Sequence, residues 1–311
     1  ASLPGEEKYY EGPASHLKVP RPKPNARVRL FVVSGLADQA LKLVGLSHNA
    51  PEWLEVRLLD LPGHGSRQVG QTIDGLPPCA SQSTPETHAM PIEDQLQCLC
   101  DQLANEMLPL ITGDRAIPYA LLGFSFGAQI VYHLDQALRN NKVPPPLRNN
   151  SIPTPLLLVA VARCAPHCAF TPPSTIKDLQ EWSDSEVCDF VIKKLRLPIQ
   201  VAPHWPSFMR TAALFRCGML LNSVHVGEAS PSDLDRIRLL YDGGTPIHAR
   251  NPPQARCPIL AISSSGDALF GHDLVAPWVN VSPYSDASFA RDNSFVHKQL
   301  HSLDHDAIKD S

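Results

Sequence analysis

The chain has 311 residues, a formal net charge of −4 and 43% hydrophobic residues. That length suits one large α/β domain or two small ones. Mild acidity without a long basic run excludes the electrostatic footprint of a nucleic-acid-binding protein, and no apolar stretch reaches the length of a membrane span.

Residues 1 to 26 are rich in Pro, carry both signs of charge and have no apolar period, so they read as an extended arm with Lys18, Arg21, Lys23 and Arg27 on a solvated face. Val28 to Val33 is a buried strand that leaves through the small-residue loop Ser34-Gly35-Leu36-Ala37-Asp38. Trp53 to Asp60 is the next strand and ends in the tight turn Leu61-Pro62-Gly63-His64-Gly65-Ser66-Arg67. Residues 68 to 91 read as a surface insertion. Ile92, Leu96, Leu99, Leu103 and Leu108 restore a helical period, which Gly113-Asp114 closes. Tyr119 to Leu122 is a buried strand, and Ala128 opens a helix to about Arg139, stopped by Asn140-Asn141-Lys142 and Pro144 to Pro146. Pro155 to Ala162 is another buried strand with the exit Arg163-Cys164-Ala165-Pro166-His167.

Residues 169 to 255 break the strand–helix alternation. A capped start at Ser183-Asp184-Ser185-Glu186-Val187, an apolar-faced run from Phe208 to Leu221 and a third run from Asp233 to Tyr241 predict helices and no strand. A helical insertion there reads as a lid. Cys257 to Ile262 is the last clear buried strand, Ala268 to Trp278 reads as helix, and His297, His301 and His305 fall in a terminal helix or its entry loop. The eight cysteines, including Cys98 with Cys100 and Cys164 with Cys168, match no zinc pattern and read as thiols of a reducing compartment, cytoplasm or organelle interior. The first residue is Ala, which leaves room for a removed leader or excision from a longer chain.

The chemistry centres on Gly123-Phe124-Ser125-Phe126-Gly127 between a strand and a helix. In that context Gly-x-Ser-x-Gly sets the serine on a strained corner above the sheet, flanked by glycines that let two backbones approach. The Phe126 N–H at the helix start, and that of Leu36 or Ala37 in the loop after the early strand, are the expected oxyanion donors. A serine needs a base, usually a histidine held by a carboxylate. On an α/β-hydrolase sheet the chain order is Ser, then Asp or Glu, then His, which only the tail satisfies: Asp267 lies just past the last clear strand and histidines follow.

Taken together, Glu55 to Arg67, Gly123 to Gly127, Arg163 to His167 and Cys257-Pro258-Ile259 resemble the type II thioesterases, the editing hydrolases of polyketide, nonribosomal peptide and fatty acid synthesis. The resemblance implies an α/β-hydrolase fold: a mostly parallel sheet with helices on both faces, a core of 27–168 and 256–311, and a helical lid of 169–255. It implies a serine thioesterase, expected as a monomer without cofactor or metal, that removes acyl groups from the phosphopantetheine arm of an acyl carrier protein. The sequence departs from the family where Phe124 and Phe126 flank the serine, which reshapes the acyl pocket around Phe124, and where Gly35-Leu36-Ala37 replaces a Gly-Gly loop. The family's Gly-Gly-His is missing. His297 is the nearest replacement by spacing and His301 the runner-up, while His272 suits a helix start and His305 lies near the fraying end of the chain. Arg163 and His167 read as structural at the lid hinge, and Lys193, Lys194 and Arg196 as a docking edge for an acidic carrier. A carboxylesterase, or an interaction protein that has lost its base, fits the same motifs.

Overall fold

The computed structural model describes residues 17–35, 43–61, 91–113, 116–140, 152–169, 177–179, 181–195, 212, 215–216, 218–223, 247–248, 251–267, 270–283, 295–301 and 303. The main sheet has seven strands. In chain order they are β1 (Leu17–Lys18), β2 (Val28–Val33), β3 (Leu54–Leu59), β4 (Tyr119–Phe124), β5 (Leu158–Val161), β8 (Ile259–Ser264) and β9 (Phe295–Leu300). Their spatial order is β1-β3-β2-β4-β5-β8-β9. Only β1 is antiparallel to its neighbour; the other pairs are parallel. Four helices named here are α1 (Val44–Asn49), α2 (Ile92–Thr112), α3 (Phe126–Asn140) and α4 (Asp184–Leu195). A short helix α5 (His272–Val275) runs on into a 3-10 turn at Ala276–Val281.

Alternate strand residues face opposite sides. Phe31, Val33, Tyr119, Leu121, Leu158, Ala160, Ile259 and Ala261 share one core with α2, α3 and Trp278. Leu30, Val32, Val56, Leu58 and Leu122 point the other way and meet Leu43 and Leu46 at α1. α2 is held by the row Leu96, Leu99, Cys100, Leu103, Ala104, Met107, Leu108 and Ile111, all buried at helical spacing. Burying each leucine of that row contributes about 1.5–3 kcal/mol.

At the end of the Pro-rich arm Arg21 and Arg27 are exposed as expected, but Lys18 and Lys23 are buried. β1 adds to the edge of β3, Lys18 forms a buried ion pair with Asp60, and the buried Lys23 donates to the Ala50 and Pro51 carbonyls. The short, polar β1 carries no alternation that composition could reveal. Beside it, burial works against a charge on Glu55, but hydrogen bonds from Arg57 and Arg29 outweigh it and hold the carboxyl below its usual range. At the amino end of β4, the buried Asp135 of α3 accepts from the Arg256 side chain at 2.7 Å and from its backbone N–H at 2.9 Å. This clamp fixes the chain as it returns to the sheet.

The segment between β5 and β8 does contain strands, contrary to the helix-only expectation. β6 (Cys168–Ala169) and β7 (Ile247–His248) pair antiparallel and bring the two ends of the segment together. α4 starts with the expected capping box: the Ser183 N–H donates to Glu186 Oε2 at 2.7 Å and the Glu186 N–H donates to Ser183 Oγ at 3.3 Å. The tail also differs from expectation, because Phe295–Leu300 is an edge strand and not part of a terminal helix.

Candidate active site

Ser125 joins β4 to α3 with φ at +52°. That left-handed corner is rare for a residue with a Cβ and costs on the order of 1–3 kcal/mol. Close packing enforces it. A Cβ on Gly123 would lie 2.2 Å from the Gly127 carbonyl oxygen, and one on Gly127 would lie 2.2 Å from the Val33 oxygen and 2.5 Å from the Ser34 oxygen. The start of α3 therefore rests directly on the exit of β2. The Ser125 N–H donates to the Val161 carbonyl at 2.8 Å, which fixes the corner to β5 as well.

The position in the sheet matters as much as the turn. β2 has β3 on one side and β4 on the other, so the chain reverses its direction of travel across the sheet at this pair. Ligands of open α/β sheets bind at the carboxyl ends of the strands flanking such a switch. Ser34, Gly35 and Ser125 stand there. Phe126 is the first residue of α3, where helix geometry leaves its N–H without an intrahelical acceptor, at the positive end of the helix dipole. Leu36 and Ala37 lie outside the described residues.

The two flanking aromatics are both buried but serve different faces. Phe126 belongs to the main core, whereas Phe124 packs with Val159, Val161 and Ala162, with Leu300 and Leu303 against them.

Asp267 follows β8 and is buried, 5% exposed. Its Oδ1 accepts the Phe270 N–H at 3.0 Å. The segment after β9 is tied to the same loop. The Ser265 N–H donates to the Leu300 carbonyl at 3.0 Å, the Leu303 N–H donates to Ser264 Oγ at 3.1 Å, and that hydroxyl donates to the Leu303 carbonyl at 2.5 Å.

His297 does not stand at this end of the sheet. Its register runs through Ala261 and Ala160 to Gly123, below Ser125 and three strand intervals away. At about 4.8 Å per interval that is about 14 Å of lateral separation, beyond the reach of an imidazole. The His297 Nε2 lies 2.8 Å from Ser263 Oγ, and its ring stacks on His272 at 4.4 Å. Desolvation and the neighbouring His272 hold its pKa below the usual histidine range. Spacing alone misled here because an extended strand carries each residue farther along than a helix would. His301 directly follows the last residue of β9 and is exposed; His305 lies outside the described residues.

Sequence reasoning missed Gln129 and Phe270. Gln129, one helical turn after Ser125, is buried on the apolar side of α3 and accepts from Arg163 Nη2 at 2.8 Å. Its polarity at a core-facing position was the available signal. His167 Nε2 lies 3.3 Å from Asn280 Nδ2, a contact that links the exit of β5 to the 3-10 turn. Lys193 is exposed on α4 and pairs with Asp189 at 3.0 Å; the Lys194 side chain and Arg196 lie outside the described residues. Among the described residues, no group of acidic, His or Cys side chains could hold a metal ion, and no helix is long and apolar enough to cross a membrane.

This strand order, with a serine corner directly after β4 at the switch point of the sheet, defines the α/β-hydrolase fold. Thioesterases are among the solved structures that the chain resembles in fold. RedJ, the thioesterase of the prodiginine pathway of Streptomyces coelicolor, superimposes with a TM-score of 0.56 at 20% identity over 90% of this chain and 83% of its own. YbtT, the type II thioesterase of the yersiniabactin pathway, gives 0.57 at 17% identity over 94% and 91%. BorB, a type II thioesterase from the borrelidin cluster, gives 0.55 at 17% identity over 94% and 91%. At these identities the likeness establishes the fold. No protein-family model matches the chain, and no curated protein matches it in sequence.

Proposed function

We propose that the chain is a serine thioesterase that hydrolyses acyl groups carried on the phosphopantetheine arm of an acyl carrier protein. The observation that carries this reading is Ser125 at φ +52° on the β4–α3 corner, at the switch point of the sheet. The thioesterase reading of the substrate rests on the motifs in the sequence and on the fold shared with RedJ, YbtT and BorB.

In this mechanism Ser125 Oγ attacks the thioester carbonyl while a histidine takes its proton. The N–H of Phe126, with that of Leu36 or Ala37, holds the oxyanion. Collapse breaks the C–S bond, and the imidazolium gives its proton to the departing thiolate. Water, deprotonated by the same imidazole, then attacks the acyl-enzyme and releases the carboxylic acid with Ser125 restored. Asp267 orients the imidazole and stabilises its charged form. The base is assigned to His301, because Leu300 and Leu303 on either side of it are hydrogen-bonded to the loop that leads into Asp267; His305 follows it in the sequence. The acyl chain is assigned to the Phe124 side of the corner.

The test compares acyl-pantetheine with p-nitrophenyl esters on the full chain and on Ser125→Ala. Thioester hydrolysis that exceeds ester hydrolysis and disappears in the variant is expected. Preference for the oxygen ester makes the chain a carboxylesterase, and wild-type turnover by Ser125→Ala removes the nucleophile assignment.

A further inference from the structure

We propose that Arg163 is a positioning residue that locks the start of α3, the Asp267 loop and the helical turn at 218–222 into one unit, so that Ser125 and Asp267 are held in place together. This rests on the serine-hydrolase reading above. Arg163 is the second residue after β5 and is 3% exposed. The chain reaches it through Ala162, which is held at φ +51°.

A guanidinium offers a hydrogen-bonding edge and a stacking face at once, and Arg163 uses both. Its Nη2 donates to Gln129 Oε1 at 2.8 Å and to the Asn222 carbonyl at 3.3 Å. Gln129 lies four residues after Ser125, on the same face of α3. Asn222 is at the end of a helical turn in the inserted segment, where the carbonyl dipoles favour a cation. The flat face of Arg163 covers the Phe270 ring, with Cζ 5.3 Å from its centroid. Phe270 is the residue whose N–H holds the Asp267 carboxylate. The Arg163 carbonyl accepts the Trp278 indole N–H at 2.9 Å, which fixes the backbone of the arginine itself.

A buried cation is costly without partners. A change at the guanidinium therefore disturbs Gln129, the Asn222 carbonyl and the Phe270 ring together. The disturbance is thereby felt at both the start of α3 and the Asp267 loop. Trp278, fixed to the Arg163 backbone, is unaffected by a change of the side chain.

Two variants test this in the full chain. Arg163→Lys keeps the charge and removes the plane; Phe270→Leu keeps an apolar side chain and removes the ring. Hydrogen exchange reads the coupling without requiring activity. Either variant is expected to speed exchange by at least about tenfold at both the Phe270 amide and residues 218–222. Fluorophosphonate labelling of Ser125 is expected to slow by about 10–100-fold, the size of effect that a slight misplacement produces. Its pH midpoint is expected to move lower, because a displaced Asp267 no longer favours the imidazolium. Folded variants with wild-type exchange at either location overturn the proposal. So do variants with a lower Tm but unchanged labelling rate and midpoint. A wild-type chain that resists labelling, with coupled exchange intact, refutes the serine-hydrolase reading and leaves the mechanical coupling standing.

Discussion

Gly127→Ala tests how the corner is built. The added methyl would lie 2.2 Å from the Val33 oxygen and 2.5 Å from the Ser34 oxygen, whereas ordinary contact begins near 3.4 Å. Both obstacles are backbone atoms, and Val33 is the last residue of β2, in register with Gly123 on β4. Neither can rotate away. The start of α3 must retreat by about 1 Å, at a cost of about 1–3 kcal/mol for overpacking. In a chain of this size each kcal/mol lowers Tm by about 2–4 °C, so a loss of several degrees is expected. The same retreat carries Ser125 away from its acceptor at Val161 and from the oxyanion site, and a 1 Å error costs about 100-fold in rate. Thermal unfolding and thioester turnover measure the two effects. A Gly127→Ala protein with wild-type Tm and rate would refute the packing argument for the corner.

Other outcomes follow from particular contacts. Asp135→Ala leaves Arg256 without its buried carboxylate and is expected to cost about 3–5 kcal/mol in denaturant unfolding. His133 has a buried Nε2 without a hydrogen-bond partner among the described residues, and desolvation lowers its pKa to about 4. Its charged form is therefore favoured only on unfolding: stability is full above about pH 6.5, the unfolded value, and declines as pH falls towards 4. His133→Gln should flatten that decline in unfolding measured as a function of pH. His297→Ala should leave kcat within about threefold of wild type, whereas loss of the true base, tested with His301→Ala and His305→Ala, should lower it by about 1000-fold or more. Reversing charge at Lys193, Lys194 and Arg196 should raise KM for acyl-carrier substrate and leave acyl-pantetheine unchanged; equal behaviour towards both would move the docking edge elsewhere.

The parallel core was legible because its strands are buried on both faces. Tyr119–Phe124 reads as a continuous apolar run, Val28–Val33 as one interrupted only by Arg29, and the period of α2 was unmistakable. The sheet edges were not. β1 holds two residues, and β9 is half exposed, with Lys298 and Gln299 outward and no apolar alternation strong enough to distinguish it from helix. Missing β9 is what made His297 the expected base: in a strand, that residue falls within the length of the sheet and meets Ser263. Ser125 and Asp267 stood out because each lies just past a recognisable strand. Arg163 was noticed, but its reach to Gln129, Asn222 and Phe270 spans residues remote in sequence.

The central claim is that Ser125 carries the acyl group during turnover. Rapid quenching of the full chain with an acyl-carrier thioester, followed by peptide mass spectrometry, tests it directly. An acyl adduct on the peptide containing Ser125, formed within one turnover and lost on further incubation, is expected. An adduct on another residue, or steady hydrolysis with Ser125 never modified, would contradict it.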